Sequence, residues 1–201
     1  MRKFLAVVLL TTALVAPAFA AEKGGMEIDG KLGVLFNTTL KAEANGISQS
    51  SDIDTTFSLG ADFFYYVEKE FAVGAGLEYV VLSELEKSNG KMKYGTTNFF
   101  VQAKYDIDIQ NDIFNNIYPV VQLGYGINTL GGGIEDFADV KNGIYWGIGL
   151  GTTIKENFIV ELLYSFNYGT CEPKNHVPGE PDSMDVTYKT LKLKAGYKFA
   201  I

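Results

Sequence analysis

The chain is poor in the residues that build most catalytic and metal centres. Its 201 residues include one Cys and one His, which excludes a Cys/His zinc site and a multi-disulfide framework. Arg2 is the only arginine, so no guanidinium beyond it is available to clamp a phosphate or carboxylate bidentately. A basic face is lacking too. The formal net charge is −7 and the pI is near 4.8, the opposite of a nucleic-acid binder's footprint. Past residue 20 no apolar run reaches the roughly 18 residues of a membrane-crossing helix. Wholesale disorder is excluded as well, because 47% of the residues are hydrophobic and only 20% charged. The length suits a single domain.

The start of the chain has its own pattern. Arg2 and Lys3 precede an uncharged stretch from Phe4 to Ala20, with an apolar core from Leu5 to Ala16, then Pro17 and Ala18-Phe19-Ala20. A basic start, a short apolar run and a small-x-small end read as a secretory signal peptide cut after Ala20. Residues 1–20 are then the signal and 21–201 the working domain. An uncleaved anchor is the alternative, for which the run is short. No Cys stands at the cut, so a lipid-modified N-terminus is unsupported. Cys171 is alone in an exported chain and reads as an incidental loop residue.

What fills the rest is alternation. Eight runs of about ten residues keep apolar side chains on one parity, the signature of half-buried strands. The first is Ile28, Gly30, Leu32, Val34, Phe36, Thr38, and the last is Leu191, Leu193, Ala195, Tyr197, Phe199. The intervening parity is rich in glycine, at 33, 60, 74, 76, 124, 126, 147, 149, 151 and 196. Glycine weakens a strand and serves no purpose on a solvent face. It does serve a narrow lumen, where residues crowd around one axis. The apolar parity holds about sixteen aromatics against about five on the other, among them Phe63, Tyr65, Phe71, Tyr79, Phe99, Tyr105, Tyr125, Trp146, Phe158, Tyr164, Phe166, Tyr197 and Phe199. Large rings on an outer wall make sense against lipid, with Tyr and Trp at headgroup level. The alternation therefore predicts an all-β fold, an eight-stranded antiparallel up-and-down transmembrane β-barrel.

The connections agree. They fall at 41–52, 67–70, 83–93, 106–117, 129–143, 155–157 and 169–184. Long and short alternate except at 106–117, where Tyr105, Ile107 and Ile109 keep the outward parity and predict an extension of the fourth strand. Short turns on one side and long loops on the other are the outer-membrane pattern. With eight strands both ends of the domain lie on the short-turn side, so four long loops face outward.

These runs resemble the small outer-membrane β-barrel family: the OmpA membrane domain, OmpX and opacity-type porin-like proteins. The resemblance covers residues 21–201. It rests on Tyr118-Pro119-Val120-Val121-Gln122-Leu123-Gly124-Tyr125-Gly126, on Val73-Gly74-Ala75-Gly76-Leu77-Glu78-Tyr79 and on Leu193-Lys194-Ala195-Gly196-Tyr197-Lys198-Phe199. It implies that Leu193, Ala195, Tyr197 and Phe199 form an assembly signal. The family usually ends on the aromatic itself, whereas this chain continues through Ala200 to Ile201. The implied partners are outer-membrane lipids and lipopolysaccharide, periplasmic chaperones and the barrel-assembly machinery, and the implied location is the bacterial outer membrane. On this resemblance no peptidoglycan-binding segment is expected after the last run.

The lumen parity supplies the candidate site. Glu27, Asp29, Asp62, Glu78 and Glu161 face Lys31, Lys104, Lys192, Lys194 and Lys198. Near-balance predicts an ion-pair network, since unpaired buried charge is costly. If Tyr168 stands opposite Asp185, Glu161 falls opposite Lys192. The plain reading is a polar plug; the sharper one is a narrow, switchable ion path. Some small barrels of this class are lipid-A-modifying enzymes using His, Ser and an acid. Here His176 lies in a Pro-rich loop, and Ser165 and Ser183 are poorly placed to partner it, so no catalytic residue is assigned. Gly147-x-Gly149-x-Gly151 has strand period and no following helix, unlike a phosphate loop.

The outer loops hold Glu43, Asp52, Glu84, Glu86, Glu135, Asp136, Asp139, Glu172, Glu180 and Asp182. They read as solvated loops, with divalent-cation bridging to lipopolysaccharide as the alternative. The loop with Gly131-Gly132-Gly133, Ile134 and Phe137, and the last loop, are the expected contact points for a host or matrix ligand. The expected role is non-enzymatic, envelope-structural or surface contact, with no cofactor and no metal. A narrow pore, a lipid-modifying enzyme and a soluble lipocalin-like carrier are the alternatives, in that order.

Overall fold

The computed structural model describes residues 23–44, 46–85, 93–109, 113–132, 138–174 and 183–201. The predicted signal peptide, His176, Glu86, Gly133, Ile134, Glu135, Asp136, Phe137, Glu180 and Asp182 lie outside those residues.

Eleven strands follow in chain order: β1 (Met26–Ala44), β2 (Ile47–Ile53), β3 (Thr56–Tyr66), β4 (Phe71–Glu84), β5 (Lys93–Tyr105), β6 (Ile107–Asp108), β7 (Phe114–Gly131), β8 (Ala138–Lys141), β9 (Gly143–Ile154), β10 (Phe158–Pro173) and β11 (Met184–Ala200). Eight are staves of a closed antiparallel ring, β1-β3-β4-β5-β7-β9-β10-β11, and β11 returns to β1. Closure leaves no free edge within the wall, which every backbone N–H and C=O needs in hydrocarbon. The extra strands hang on the ring: β2 on β1, β6 on β7 and β8 on β10.

The register fixes the barrel's shape. One cross-strand row runs Lys189, Phe166, Trp146, Leu123, Val101, Ala75, Phe63, Ile28 and returns to β11 at Phe199. From 189 to 199 the shear is therefore ten residues. With strands ~4.8 Å apart and a rise of ~3.3 Å per residue, the staves tilt by about 41° and the backbone radius is about 8 Å. Each residue then advances about 2.5 Å along the axis.

Burial alternates along the staves. In β3 the pattern from Thr56 to Tyr66 is almost strictly buried and exposed by turns. The exposed set is apolar, with Leu32 65%, Val101 63% and Leu123 60% accessible. Such a continuous apolar wall far exceeds the few hundred Å² a soluble monomer shows.

Two sequence expectations change here, at 41–52 and at Thr38, and the predicted extension at 106–117 is borne out. The stretch 41–52 is not an open loop: β1 continues to Ala44 and pairs with β2 from Thr38↔Ile53 to Ala44↔Ile47. The odd turn at 106–117 is shorter than its sequence span, because Ile107 pairs with Ile117. Thr38 faces inward, not outward. A bulge between Phe36 and Thr39, with Asn37 at φ 51, inserts one residue and flips the parity of β1. Thr38 then hydrogen-bonds Thr190 of the neighbouring β11 at 2.8 Å.

Candidate functional site

The lumen is layered. At the turn end, Glu27 pairs with Lys104 and lies 3.9 Å from Lys198. The Tyr66 hydroxyl sits between Glu27 at 2.9 Å and Asp106 at 2.8 Å, and Asn116 donates to Asp106 at 2.6 Å. Lys104 also lies over the Phe64 ring, 4.3 Å from its centre. These groups come from the ends of β1, β3, β5, β7 and β11, so the cluster ties the turn end together.

Midway, a chain of charges crosses the barrel. Lys192 pairs with Glu78, and Lys194 bonds Glu78 at 3.0 Å and reaches Glu161 at 3.9 Å. Lys31 contacts Glu161 at 3.0 Å, Asp62 at 2.8 Å and Asp29 at 3.5 Å. Ser58 donates to Glu78 at 3.2 Å. Glu161, Glu78, Asp29 and Lys192 are each at most 1% exposed. The Asp29 oxygens have no hydrogen-bond partner among the described residues. Asp29, Lys31, Asp62, Glu78, Lys104, Glu161, Lys192 and Lys194 thus all point inward and form two connected groups.

The pairing expected for Glu161 differs in one respect. β10 and β11 meet with Tyr168 opposite Thr187, so Glu161 stands opposite Lys194, not Lys192. A two-residue slip preserves parity, so the alternation could not distinguish the two registers.

Above the charges lies an apolar layer of Leu35, Ile53, Val80, Leu85, Tyr94 and Tyr188, with Leu40 and Leu130 packed on it. The rings of Tyr94 and Tyr188 stack at 4.9 Å. Glycine makes room for the aromatics below: a β-carbon on Gly151 would overlap the Tyr118 ring, and one on Gly76 would overlap Phe100. Little space remains. A cavity of about 10 Å³ lies between Lys31, Ser58, Asp62, Glu78, Phe100 and Lys194, about enough for one water.

Sequence reasoning missed Asp106, Tyr66, Asn116 and the inward ring of Tyr118, whereas Phe64, Phe100 and Tyr145 fall on the glycine parity and face inward as that parity predicts. Asp106 continues the inward parity of Gln102 and Lys104, so the signal was present.

Phe63, Tyr65, Phe71, Tyr79, Phe99, Tyr105, Tyr125, Phe158 and Tyr164 are exposed on the outer wall. Trp146, Phe166, Tyr197 and Phe199 share that face and are part-covered by one another or by neighbours. Leu193 and Ala195 continue the Tyr197 and Phe199 row along β11. Cys171 is in β10, not a loop, paired with Met184 and Val140. Burial, with Asp139 and Glu172 nearby, pushes its thiol up. Ser165 is buried in the lumen and Ser183 is exposed, so the two are not brought together.

A closed eight-stave barrel, apolar outside and charged within, is the architecture of a transmembrane protein of the bacterial outer membrane. The sequence agrees: residues 6–199 match the family described as outer membrane protein beta-barrel domain, and the chain belongs to that family. The fold is similar to the outer membrane protein OprG from Pseudomonas aeruginosa, at 12% identity and TM-score 0.54, covering 90% of this chain and 98% of that one. It is also similar to the outer membrane protein AlkL determined in lipid bilayers, at 15% identity and TM-score 0.55, covering 92% and 94%. No curated protein matches.

Proposed function

We propose that this barrel is a non-enzymatic envelope protein, structural in the wall and making surface contacts at its long-loop end. One observation carries the reading: the staves outrun the membrane while the lumen is filled. A tilted spanning strand needs about 9–11 residues. β1 has 19, β7 has 18 and β11 has 17. The excess stands at the long-loop end, where β2 and β8 widen the sheet. Glu43, Asp52, Glu84, Asp139 and Glu172 lie on these extensions rather than on free loops. They are held by ion pairs such as Lys93–Glu84 at 3.1 Å and Lys174–Asp139 at 3.1 Å. A rigid, acidic rim suits contact with a host or matrix ligand more than it suits a mobile lid.

The filled lumen favours this role over a pore. An ion would have to displace Lys192–Glu78 and Lys31–Asp62, both fully enclosed. The same reading takes outer-membrane lipids and lipopolysaccharide, chaperones and the barrel-assembly machinery as partners. Export by a signal ending at Ala20 is part of the proposal. The test has two arms. Planar-bilayer recording of purified protein is expected to give no conductance steps; steps would move the assignment to the pore. Exchange of residues 129–143 and 169–184 for short turns is expected to abolish binding to cells or matrix. Unchanged binding would remove the surface-contact role.

A further inference from the structure

The outer wall of the barrel is uncharged over a long span. Outward positions of β1 from 28 to 36, β3 from 57 to 65, β4 from 71 to 81, β5 from 97 to 105, β7 from 117 to 127, β9 from 144 to 154 and β10 from 158 to 168 carry no ionisable acid or base except tyrosine. β11 is the same from Leu191 to Phe199. The next outward residue toward the loop end is Lys189.

Its height follows from the shear. Lys189 lies ten residues from Phe199 on one stave, which is about 25 Å along the axis at ~2.5 Å per residue. That is about the height of the apolar band of an outer-membrane barrel. Phe199 and Tyr197 mark the turn-end boundary of the band. Lys189 therefore stands at the opposite boundary, at the level of the outer-leaflet headgroups.

The surroundings of Lys189 are built of rings rather than acids. Its ammonium lies over the Phe166 ring, 5.6 Å from the centre. Phe166 stacks on Trp146 at 4.1 Å and 11°, and Tyr164 meets Phe166 edge-on at 4.8 Å. No ion pair of Lys189 occurs among the described residues. Among the charges on the loop-end extensions of β1, β2 and β11, Lys41 bonds Glu43 at 2.7 Å, Asp52 accepts from Thr39, which faces Lys189 across the β1–β11 ladder, at 3.4 Å, and Asp185 lies four residues from Lys189 along β11. A lysine at a membrane boundary extends its head to the polar layer and rests its stem on apolar surface. The ring face holds the ammonium without neutralising it.

We propose that Lys189, on its Phe166–Trp146–Tyr164 platform, binds the phosphate of an anionic outer-leaflet glycolipid. The acyl chains run along the wall past Leu191 and Ile148. This inference rests on the membrane reading of the barrel and deepens it by placing one lipid. The acidic rim repels anionic headgroups elsewhere, so the one cation at headgroup height without an ion pair among the described residues gives the lipid a preferred azimuth on β9–β10–β11. A basic residue near an anionic surface contributes about a fivefold preference.

Trp146 is the chain's only tryptophan, so its emission reports this platform directly. Protein refolded into phosphatidylcholine vesicles is titrated with diphosphoryl lipid A, with inorganic phosphate as a separate arm and EDTA as another. Vesicles carrying chain-brominated lipid test the membrane reading independently. Wild-type protein is expected to show a saturable lipid A response that EDTA leaves intact and inorganic phosphate does not reproduce. Lys189→Gln is expected to weaken it about fivefold, with Lys189→Arg retaining it and Lys41→Gln unchanged. Equal binding by wild type and Lys189→Gln overturns the site. An equal response to inorganic phosphate makes it a free-anion site, and loss with EDTA makes it a metal bridge; either overturns the proposal. Absence of bromine quenching in every variant overturns the membrane reading instead. Folding of each variant is checked by heat-modifiable gel mobility.

Discussion

Removing one carboxylate from the middle of the lumen should cost more than removing the ammonium it holds. Glu78 is the carboxylate paired with Lys192, which is 1% exposed, and it also bonds Lys194 at 3.0 Å. At an effective dielectric of about 20, charges at that separation attract by about 5–6 kcal/mol gross. In the intact pair desolvation offsets most of this. After Glu78→Gln, Lys194 retains Glu161 at 3.9 Å, but Lys192 keeps its desolvation cost with no carboxylate in reach among the described residues. The expected loss is about 3–5 kcal/mol. Lys192→Met is milder. Glu78 still has Lys194, Ser58 and the Asn98 amide at 3.5 Å, and Met follows the lysine stem, so about 1–2 kcal/mol is expected. The double variant should be less destabilised than the sum of the singles by about 2–3 kcal/mol. Equilibrium urea unfolding in phosphatidylcholine vesicles, followed by Trp146 emission, measures all four proteins. A coupling under about 0.5 kcal/mol would refute the claim that these buried charges act as a pair.

Three further outcomes follow from the same geometry. Gly151→Leu should destabilise by about 1–3 kcal/mol through overlap with Tyr118, and Tyr118→Ala in the same chain should recover part of that loss; no recovery in urea unfolding would contradict the packing. Phe199→Ser should slow assembly in cells, seen as accumulation of the unfolded gel species, while Phe158→Ser on a neighbouring stave slows it less; equal effects would remove the special role of the last strand. Cys171 should react slowly with maleimide at neutral pH, since a raised thiol pKa lowers the thiolate fraction, and the rate should climb as pH rises. A rate equal to that of free cysteine would place the thiol in open solvent.

How much of this was legible in the sequence depends on what each face touches. The staves were plain wherever one face meets hydrocarbon and the other the lumen, as in Phe57 to Tyr65. The β1–β2 hairpin was not. Ile47-Ser48-Gln49-Ser50-Ser51-Asp52 lies beyond the membrane with both faces polar, so no period marks it as a strand. The flip at Asn37 was hidden for a related reason: a bulge adds one residue without adding a turn signal. Inward charges were readable as a set, because each sits on the glycine parity. Their partners were not, since a contact such as Lys31 with Glu161 bridges strands that are not ladder neighbours.

That last limit shows what the buried charges add to the fold. Alternation excludes odd registers but accepts every even one. Had β10 met β11 with Tyr168 opposite Asp185, Phe166 would face Thr187, and with the other seven ladders unchanged the shear would be twelve residues. The radius would grow from about 8 to about 9 Å, and the outer wall would remain just as apolar. What the wider ring loses is contact across the axis. Lys31 touches Asp62 on β3 and Glu161 on β10 at once, at 2.8 and 3.0 Å, and Lys194 spans Glu78 on β4 and Glu161. Each of these is a two-sided constraint on the lumen's width. Separating one such pair in low dielectric costs several kcal/mol, whereas the hydrophobic term hardly changes. The charges thus select among barrels that greasiness alone treats as equal, which is a reason for a membrane protein to carry so many where water is nearly absent.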